Sequence, residues 1–542
     1  MKKVEGNIID INNRRIFPGV ITLNEEGLIS SIDENDQKYD HYILPGFIDA
    51  HVHIESSMLI PEEFSKLAIR KGTVAIVTDP HEIANVLGME GIYFMMENSR
   101  FSDIKMFFTI PSCVPSTPFD SSGSCLSASD VKELLQTDRF IGLSEMMNVP
   151  GVIHEDPEVM QKIAFTRQKG LIIDGHAPGL KGEELRKYVE AGITTDHECI
   201  TLEEALEKIR AGMKILIREG SAAKNFEALK SLITLYPENV MFCTDDSHPG
   251  DLIQDGHIDK MVKRAIAEGF DLFDVLRIAC INPALHYKLN VGLLKKGDPA
   301  DFILVKDLKT FDVISVYIAG KEKYNMNGNM DFPRERVNIV YPNLFQREKI
   351  GISELVKPVK DRLICIQVMN HEIITGKIVF PLSRPLANLE SDISRDILKI
   401  VYLNRYHHNS PQIAFIHGIG LKRGAFASSI SHDSHNIIAV GTNDEELTKA
   451  INKVIDEKGG LAVVDGKRMM SLPLPIAGII TQRKGEEVAQ VWESLINSLK
   501  EMGCCLESPF MTLSFMALIV IPELKIGEKG LFEYSRFNFI SG

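Results

Sequence analysis

The run Leu44-Pro-Gly-Phe-Ile-Asp-Ala-His-Val-His-Ile-Glu-Ser-Ser-Met58 decides the fold. Its first part, Phe47-Ile-Asp-Ala50, is mostly apolar and ends in a small residue, which reads as a buried strand. Alternate side chains of a strand share a face, so His51 and His53 project to the same side. Two imidazoles on one face at a strand end can hold one metal ion. A lone His-x-His is more often one packed and one solvated histidine; the rest of the chain reverses that balance.

From residue 44 onward the pattern repeats as strand, loop, helix. Apolar runs stand at 46–50, 73–78, 104–110, 140–143, 171–173, 193–195, 213–217 and 240–243. Helical periodicity lies between them at 62–70, 83–98, 131–135, 157–168, 183–190, 202–210 and 226–235, and continues at 259–268 and 272–280. Thr201-x-x-Glu204 has the spacing of a capping box. Eight strands alternating with helices predict an α/β chain with a closed (β/α)8 barrel of TIM type over residues 44–288. An open doubly wound sheet is the structural alternative, and polar residues at most strand ends favour the barrel.

The flanks read differently. Residues 1–43 hold short strands separated by turns at Asn12-Asn13 and Glu26-Gly27, too few to close a sheet alone. Strand patterns return after Asn282-Pro-Ala284, at 291–294, 300–305 and 313–318. Residues 1–43 and 289–320 are therefore expected to form one small composite β-sandwich. A segment near 321–340 reads as a linker. Residues 341–542 read as an additional C-terminal α+β domain, with strands at 363–368, 437–440 and 461–464 and helices at 445–457 and 486–500. Within it, Gly424-Ala-Phe-Ala-Ser-Ser-Ile-Ser-His-Asp-Ser-His-Asn436 reads equally as a polar turn or as a segment reaching over the barrel mouth.

A chain of 542 residues is too long for one core. Its net charge of −14 argues against a broad phosphate-binding surface, and so against nucleic acid. The eight cysteines, at 113, 125, 199, 243, 280, 365, 504 and 505, include no Cys-x-x-Cys pair and read as reduced thiols of a cytoplasmic protein. The opening Met-Lys-Lys-Val-Glu-Gly-Asn leads into strand-like sequence, not an apolar signal core. The longest apolar run, Phe510 to Ile521, is shorter than the roughly 20 residues a spanning helix needs. No membrane partner is expected, and the run is assigned to the core of the last domain.

Active sites of such barrels sit at the C-terminal strand ends. Those ends carry His51 and His53, then Thr78-Asp79-Pro-His81-Glu82, Leu143-Ser-Glu145, Ile173-Asp-Gly-His176, Thr195-Asp-His197-Glu198 and Cys243-Thr-Asp245-Asp246-Ser-His248. Singly, residues such as Asp79 and Asp246 need be no more than helix caps. Together, the four imidazoles of His51, His53, His176 and His197 with the carboxylates of Glu145 and Asp245 suit one or two divalent ions in an N/O site; with no thiolate in the set, Mn²⁺, Fe²⁺ and Zn²⁺ all qualify.

This set resembles the amidohydrolase superfamily, and Asn282-Pro-Ala284 … Gly292 … Gly297-Asp-Pro-Ala-Asp301 is similar to that family's exit from barrel to sandwich. Several runs look like its adenine deaminase branch: Pro45-Gly-Phe-Ile-Asp-Ala-His-Val-His-Ile-Glu-Ser-Ser57, Asp79-Pro-His-Glu-Ile-Ala-Asn85, Ser144-Glu-Met-Met-Asn148, Asp174-Gly-His-Ala-Pro178, Thr195-Asp-His-Glu198, Thr244-Asp-Asp-Ser-His248 and Ser431-His-Asp-Ser-His-Asn436. The resemblance implies hydrolytic deamination of adenine to hypoxanthine and ammonia. It implies two divalent ions, Mn²⁺ or Fe²⁺ foremost, with His51 and His53 on the more buried one and His176 and His197 on the other. Glu145 would bridge them, where many amidohydrolases use a carboxylated lysine. Asp245 would be the strand-eight ligand and proton shuttle. Adenine and water are the implied partners, in a homo-oligomer.

Adenosine deaminases place a glutamate three residues after the strand-five histidine; Gly179 stands there in this chain. The donor to N1 of the purine is therefore sought among Glu55, Asp79 and Glu82, although Asp79 and Glu82 read equally as groups that orient ligand imidazoles. Asp79, His81, His248 and His435 are expected to contact substrate. Other readings are a cytosine deaminase or a cyclic-amide hydrolase, the latter disfavoured because no lysine lies within Gly142–Asn148. The His-x-Glu … Pro-Cys-x-x-Cys zinc deaminases are excluded by the cysteine pattern. A non-catalytic scaffold on this fold is expected to have lost ligands, yet all six positions are filled.

Overall fold

The computed structural model describes residues 2–221, 223–328, 342–359, 361–370, 372–382, 384–385 and 387–540. The centre of the chain carries eight strands: β1 (Phe47–His53), β2 (Thr73–Thr78), β3 (Lys105–Ile110), β4 (Phe140–Met146), β5 (Ile172–Gly175), β6 (Thr195–Asp196), β7 (Lys214–Arg218) and β8 (Val240–Cys243). β1 to β5 lie side by side and parallel in chain order. β6 to β8 form a second parallel set. Just beyond β8, Asp245–Asp246 pairs in parallel with the end of β1. At the other seam Thr194 donates its N–H to the carbonyl of Ile173 at 2.9 Å, joining the approach to β6 to β5.

Every residue of β1, β2 and β8 is buried. Strands covered on both faces need apolar runs more than alternation, which is how these segments read in the sequence. Gly46 enters β1 against β2 so closely that a Cβ would stand 2.1 Å from a methyl of Val74. Asp49, inside β1, accepts the Thr244 N–H at 3.1 Å and lies 2.9 Å from Nε2 of His257. It braces the end of β8 against β1.

The helix expected over 83–98 is two, His81–Leu87 and Met89–Ser99. Gly88 divides them with φ of 61°, and a Cβ there would meet Ser124 Oγ at 2.3 Å. Residues 226–235 are likewise two short helices, Phe226–Leu229 and Leu232–Leu235. Only half of the expected capping box forms: Thr201 accepts from the Glu204 N–H at 3.3 Å, while the Glu204 carboxylate takes Gly179 N–H and Lys208 instead.

Lys2–Asp10, Arg15–Leu23, Ile29–Glu34 and Tyr42–Pro45 join Phe302–Val305, Val313–Ile318 and Lys321–Asn325 in one seven-stranded mixed sheet. Tyr42–Pro45 is its seam, parallel to Lys2–Asp10 and antiparallel to Phe302–Val305. The strand expected at 291–294 does not form. Gly292 and Leu293 give their N–H groups to the carboxylates of Asp301 and Asp298, each at 2.8 Å, which takes two ladder donors from the middle of the segment. Lys321–Asn325 is a strand, so the expected linker begins later than residue 321; residues 329–341 of it lie outside the described residues.

The C-terminal part holds an eight-stranded sheet in the order Gly376–Pro381, Arg362–Gln367, Gln412–His417, Ile397–Leu403, Ile437–Gly441, Ala425–Ser428, Gly460–Asp465, Arg468–Pro473. It meets the parallel strands through backbone: Thr481 donates to Met58 O at 2.9 Å and accepts from Ile60 N–H at 3.2 Å. Of the apolar run 510–521, the first part belongs to a buried helix, Pro509–Phe515. Among the described residues no helix is long and apolar enough to cross a membrane.

One buried cation sets the geometry near the site. Lys208, on the helix Leu202–Arg210, is 0% exposed. Its Nζ donates to Ala177 O at 2.6 Å, to Glu204 at 2.7 Å and to Asp196 at 3.0 Å. Ala177 follows His176 and Asp196 precedes His197, so one ammonium ties the ends of β5 and β6 together. Lys208→Met leaves two carboxylates buried without their cation and is expected to cost about 3–5 kcal/mol in urea unfolding. A loss below about 1 kcal/mol would show that the cation does not hold these ends.

Candidate active site

His51 and His53 end β1 with their Nε2 atoms 3.1 Å apart. Nδ1 of His53 faces the carbonyl oxygen of Asp79 at 3.0 Å. A carbonyl only accepts, so Nδ1 carries the proton and Nε2 presents a lone pair to the centre of the site. Glu145, near the end of β4, meets five imidazoles. Its Oε1 is 3.3 Å from His53 Nε2, 3.5 Å from His81 Nδ1 and 3.9 Å from His51 Nε2. Its Oε2 is 2.8 Å from His176 Nδ1 and 3.3 Å from His197 Nε2. Burial opposes charge on Glu145, yet the imidazoles around it, His176 foremost, hold its carboxyl well below the usual range.

Asp245 sits just past β8 with φ of 55°, a left-handed conformation that aspartate adopts more readily than most residues. Its Oδ1 is 3.1 Å from His53 Nε2 and 3.4 Å from His51 Nε2. Its Oδ2 accepts from Arg218 at 2.8 Å. Arg218, the last residue of β7, also grips Glu198 through both terminal nitrogens, one of them at 3.0 Å. Glu198 Oε1 in turn lies 3.4 Å from His197 Nε2 and 3.6 Å from His176 Nδ1. Arg218 and Glu198 were not among the residues expected to act here. Their signal was positional: one closes the seventh strand, the other directly follows His197.

Glu82 is the second residue of the helix after β2 and receives two histidines from the 431–436 segment. His432 Nδ1 lies 2.5 Å from Oε1, and His435 Nε2 bonds Oε2. Nδ1 of His435 accepts the Ser431 N–H at 3.4 Å, so the ring's proton sits on Nε2 and is donated to Glu82. Burial pushes His435 down to about 4, which keeps it neutral. His432, despite its burial, is raised to about 9 by the charge of Glu82. The trio is an ion pair plus a hydrogen bond. A metal ion there would need the lone pair that His435 has spent on a proton.

A cavity of ≈ 40 Å³ lies at this centre, walled by His53, His81, Glu82, Glu145, His176, His197, Glu198, Arg218, Asp245 and Asp246 and, from the C-terminal part, by His432, Asp433 and Phe515. A second cavity of ≈ 370 Å³ shares Met147 and His176 with it and extends past Thr117, Asn148 and Pro178 to Tyr534 and Phe537. Glu55, Asp79, His248 and His435 do not line the first cavity. Glu55 accepts the Ile83 N–H at 3.1 Å, and burial pushes its carboxyl up to about 7. Asp79 holds His81 Nδ1 at 2.8 Å. His248 lies against Trp492, ring centroids 4.0 Å apart, in a separate small cavity, and burial pushes it down to about 4.

The donor set fits divalent cations. His51, His53 and Asp245 converge; so do His51, Glu145 and His197; so do His176, His197 and Glu198, with the donor atoms of each set within 4.8 Å of one another. Protonated, these rings would repel one another; as neutral ligands they need a cation between them. An ion that binds only the folded chain stabilises it, by about 2.7 kcal/mol at a hundred times Kd. Mn²⁺ added to chelator-stripped protein is therefore expected to raise the melting temperature, and Glu145→Gln is expected to lose most of that rise. An equal rise in both proteins would remove Glu145 from the ligand set.

Comparison with known proteins bears on the same residues. The amidohydrolase family matches residues 42–323, and the adenine deaminase C-terminal domain matches residues 372–538. A Methanosarcina mazei protein named adenine deaminase is 51% identical over 100% of this chain and 99% of its own. Proteins of the same name from a Sulfurovum species and from Borreliella burgdorferi are 49% and 47% identical, each over 99% of both chains. At that identity from end to end, with the His-x-His pair, Glu145, His176, His197 and Asp245 brought to one point, the chain belongs to the adenine deaminase family of the amidohydrolases.

Proposed function

We propose that the protein deaminates adenine hydrolytically, giving hypoxanthine and ammonia. The observation that carries the reading is Asp245: a buried carboxylate beside both β1 imidazoles, aimed by Arg218, in a chain of this family. His51, His53, Glu145, His176, His197 and Asp245 would hold two divalent ions, Mn²⁺ or Fe²⁺ foremost and Zn²⁺ as a further option. When bound, such ions lower the pKa of water from 15.7 to about 7, which answers its weak nucleophilicity at neutral pH.

Asp245 accepts a proton from the water as its oxygen bonds C6, and returns that proton to the amino group as ammonia departs. Burial opposes the charge this requires, and the guanidinium of Arg218 maintains it, holding the carboxyl well below its usual range. The ≈ 40 Å³ cavity has room for a few waters. In this reading the six-membered ring displaces them and the five-membered ring extends toward the ≈ 370 Å³ cavity.

The eight parallel strands close, in the same reading, into a complete (β/α)8 barrel over 44–288. Hydrogen bonding at both seams supports this. The flanks 1–43 and 289–320, extended to residue 325, make the composite β unit, and 341–542 the C-terminal domain. Residence in the cytoplasm, without nucleic-acid or membrane partners, accords with eight unpaired cysteines and the charge of −14. Purine salvage and a homo-oligomeric state follow the family reading.

Ammonia release from adenine by Mn²⁺- or Fe²⁺-reconstituted protein, with adenosine and cytosine in parallel, tests the activity. Turnover of adenine alone is expected. Asp245→Asn is expected to lower kcat by on the order of 100-fold or more. Full ion uptake with no turnover of adenine would move the substrate elsewhere. Normal turnover by Glu82→Gln would exclude a catalytic role for that residue.

A further inference from the structure

We propose that Asp433, contributed by the C-terminal part, is the catalytic acid that contacts and protonates N1 of the bound purine; this rests on the deamination reading. Addition of water to C6 pushes the electron pair of the C6–N1 double bond onto N1, so an acid must stand at that atom.

Six carboxyl groups line the central cavity: Glu82, Glu145, Glu198, Asp245, Asp246 and Asp433. Five are committed. Glu82 is held by His432 and His435. Glu145 is shared by the imidazoles, and Arg218 holds both Glu198 and Asp245. Asp246 accepts the hydroxyl of Ser56. Asp433 differs. It is 5% exposed, and its Oδ2 has no hydrogen-bond partner among the described residues. Its other oxygen is only loosely approached, 4.0 Å from His81 Nε2 and 3.9 Å from His432 Nδ1. Buried carboxyl oxygens are seldom left unpaired, and one on a cavity wall awaits a partner from within the cavity.

Its position suits the task. The His81 ring spans the distance between Glu145, at 3.5 Å from Nδ1, and Asp433, at 4.0 Å from Nε2. Asp433 therefore stands one imidazole's width from the carboxylate at the centre of the site. Burial also pushes Asp433 up to about 6, so the protonated acid is within reach near neutrality. Glu55 and Asp79, the donors expected from sequence, are absent from the cavity wall.

The step balances. Water's oxygen bonds C6 and passes one proton to Asp245; N1 takes the Asp433 proton with the displaced pair. The amino group leaves with its bonding pair and the proton returned by Asp245. As the C6 hydroxyl becomes a carbonyl, its proton restores Asp433. Adenine and water leave as hypoxanthine and ammonia, with both acids reset.

The test uses the full chain loaded with Mn²⁺. Asp433→Asn is nearly isosteric and still donates a hydrogen bond to N1, yet cannot give up a proton. It is expected to lower kcat by on the order of 100-fold, with KM, ion content and melting temperature close to wild type. Asp433→Ala is expected to lose, in equilibrium binding, the wild-type preference for adenine over 1-deazaadenine, which lacks N1. Asp433→Glu is expected to regain part of the rate. A kcat of Asp433→Asn within about threefold of wild type would overturn the proposal, because general acid catalysis contributes far more. So would an Asp433→Ala protein that separates the two purines as wild type does. If wild-type protein holding its ions leaves adenine untouched, the deamination reading itself fails.

Discussion

The convergence of imidazoles on the single carboxylate of Glu145 is the constraint on which the rest of the site depends. A buried carboxylate is unfavourable unless its charge is compensated, and here rings from four different strand ends surround it. His51 and His53 come from β1, His81 from the start of the helix after β2, and His176 and His197 from just past β5 and β6. Each strand must end at the right depth for its ring to reach the same two oxygens. The supporting contacts act on that depth. Asp49 braces β1 against the end of β8, and Lys208 holds the residues next to His176 and His197. Packing of apolar strands brings the ends near one another; these polar ties set their final positions.

A second layer of charge surrounds the first. Arg218 faces Asp245 on one side and Glu198 on the other, and Glu198 backs both His176 and His197. One guanidinium thus keeps two carboxylates anionic in a buried place, and its planar fork suits that double duty in a way a lysine would not. The same economy recurs at Glu82, whose two oxygens are divided between a charged His432 and a neutral His435.

The parallel strands were legible because a strand buried on both faces writes itself as an apolar run, and the candidate ligand residues because each lies within three residues of the end of such a run. His51, Glu145, His176, His197 and Asp245 were picked out by that rule, and the structure brings them together. Arg218 obeys it too, but a cation is not a metal ligand, so a search for ligand types passes over it. Glu55, Asp79 and His248 lie within a few residues of cavity-lining positions without lining the cavity themselves, because proximity in sequence does not tell which way a side chain turns. Residues 291–294 have strand composition, yet Asp298 and Asp301 take their backbone donors, a contest that composition does not register. The 431–436 segment read equally as a turn or as a reach over the barrel mouth, and its pairing with Glu82, 353 residues from His435, was beyond any local pattern.

That separation has a consequence for the order in which the molecule is completed. During synthesis, Asp245 has left the ribosome long before His432, Asp433 and Phe515 exist, so the imidazoles and carboxylates at the strand ends can converge while the far wall of the cavity is missing. N-terminal parts of large chains commonly fold first. The wall on the C-terminal side of the cavity is thus the last to arrive, and a product cut short before it would carry the converged imidazoles and carboxylates open to solvent.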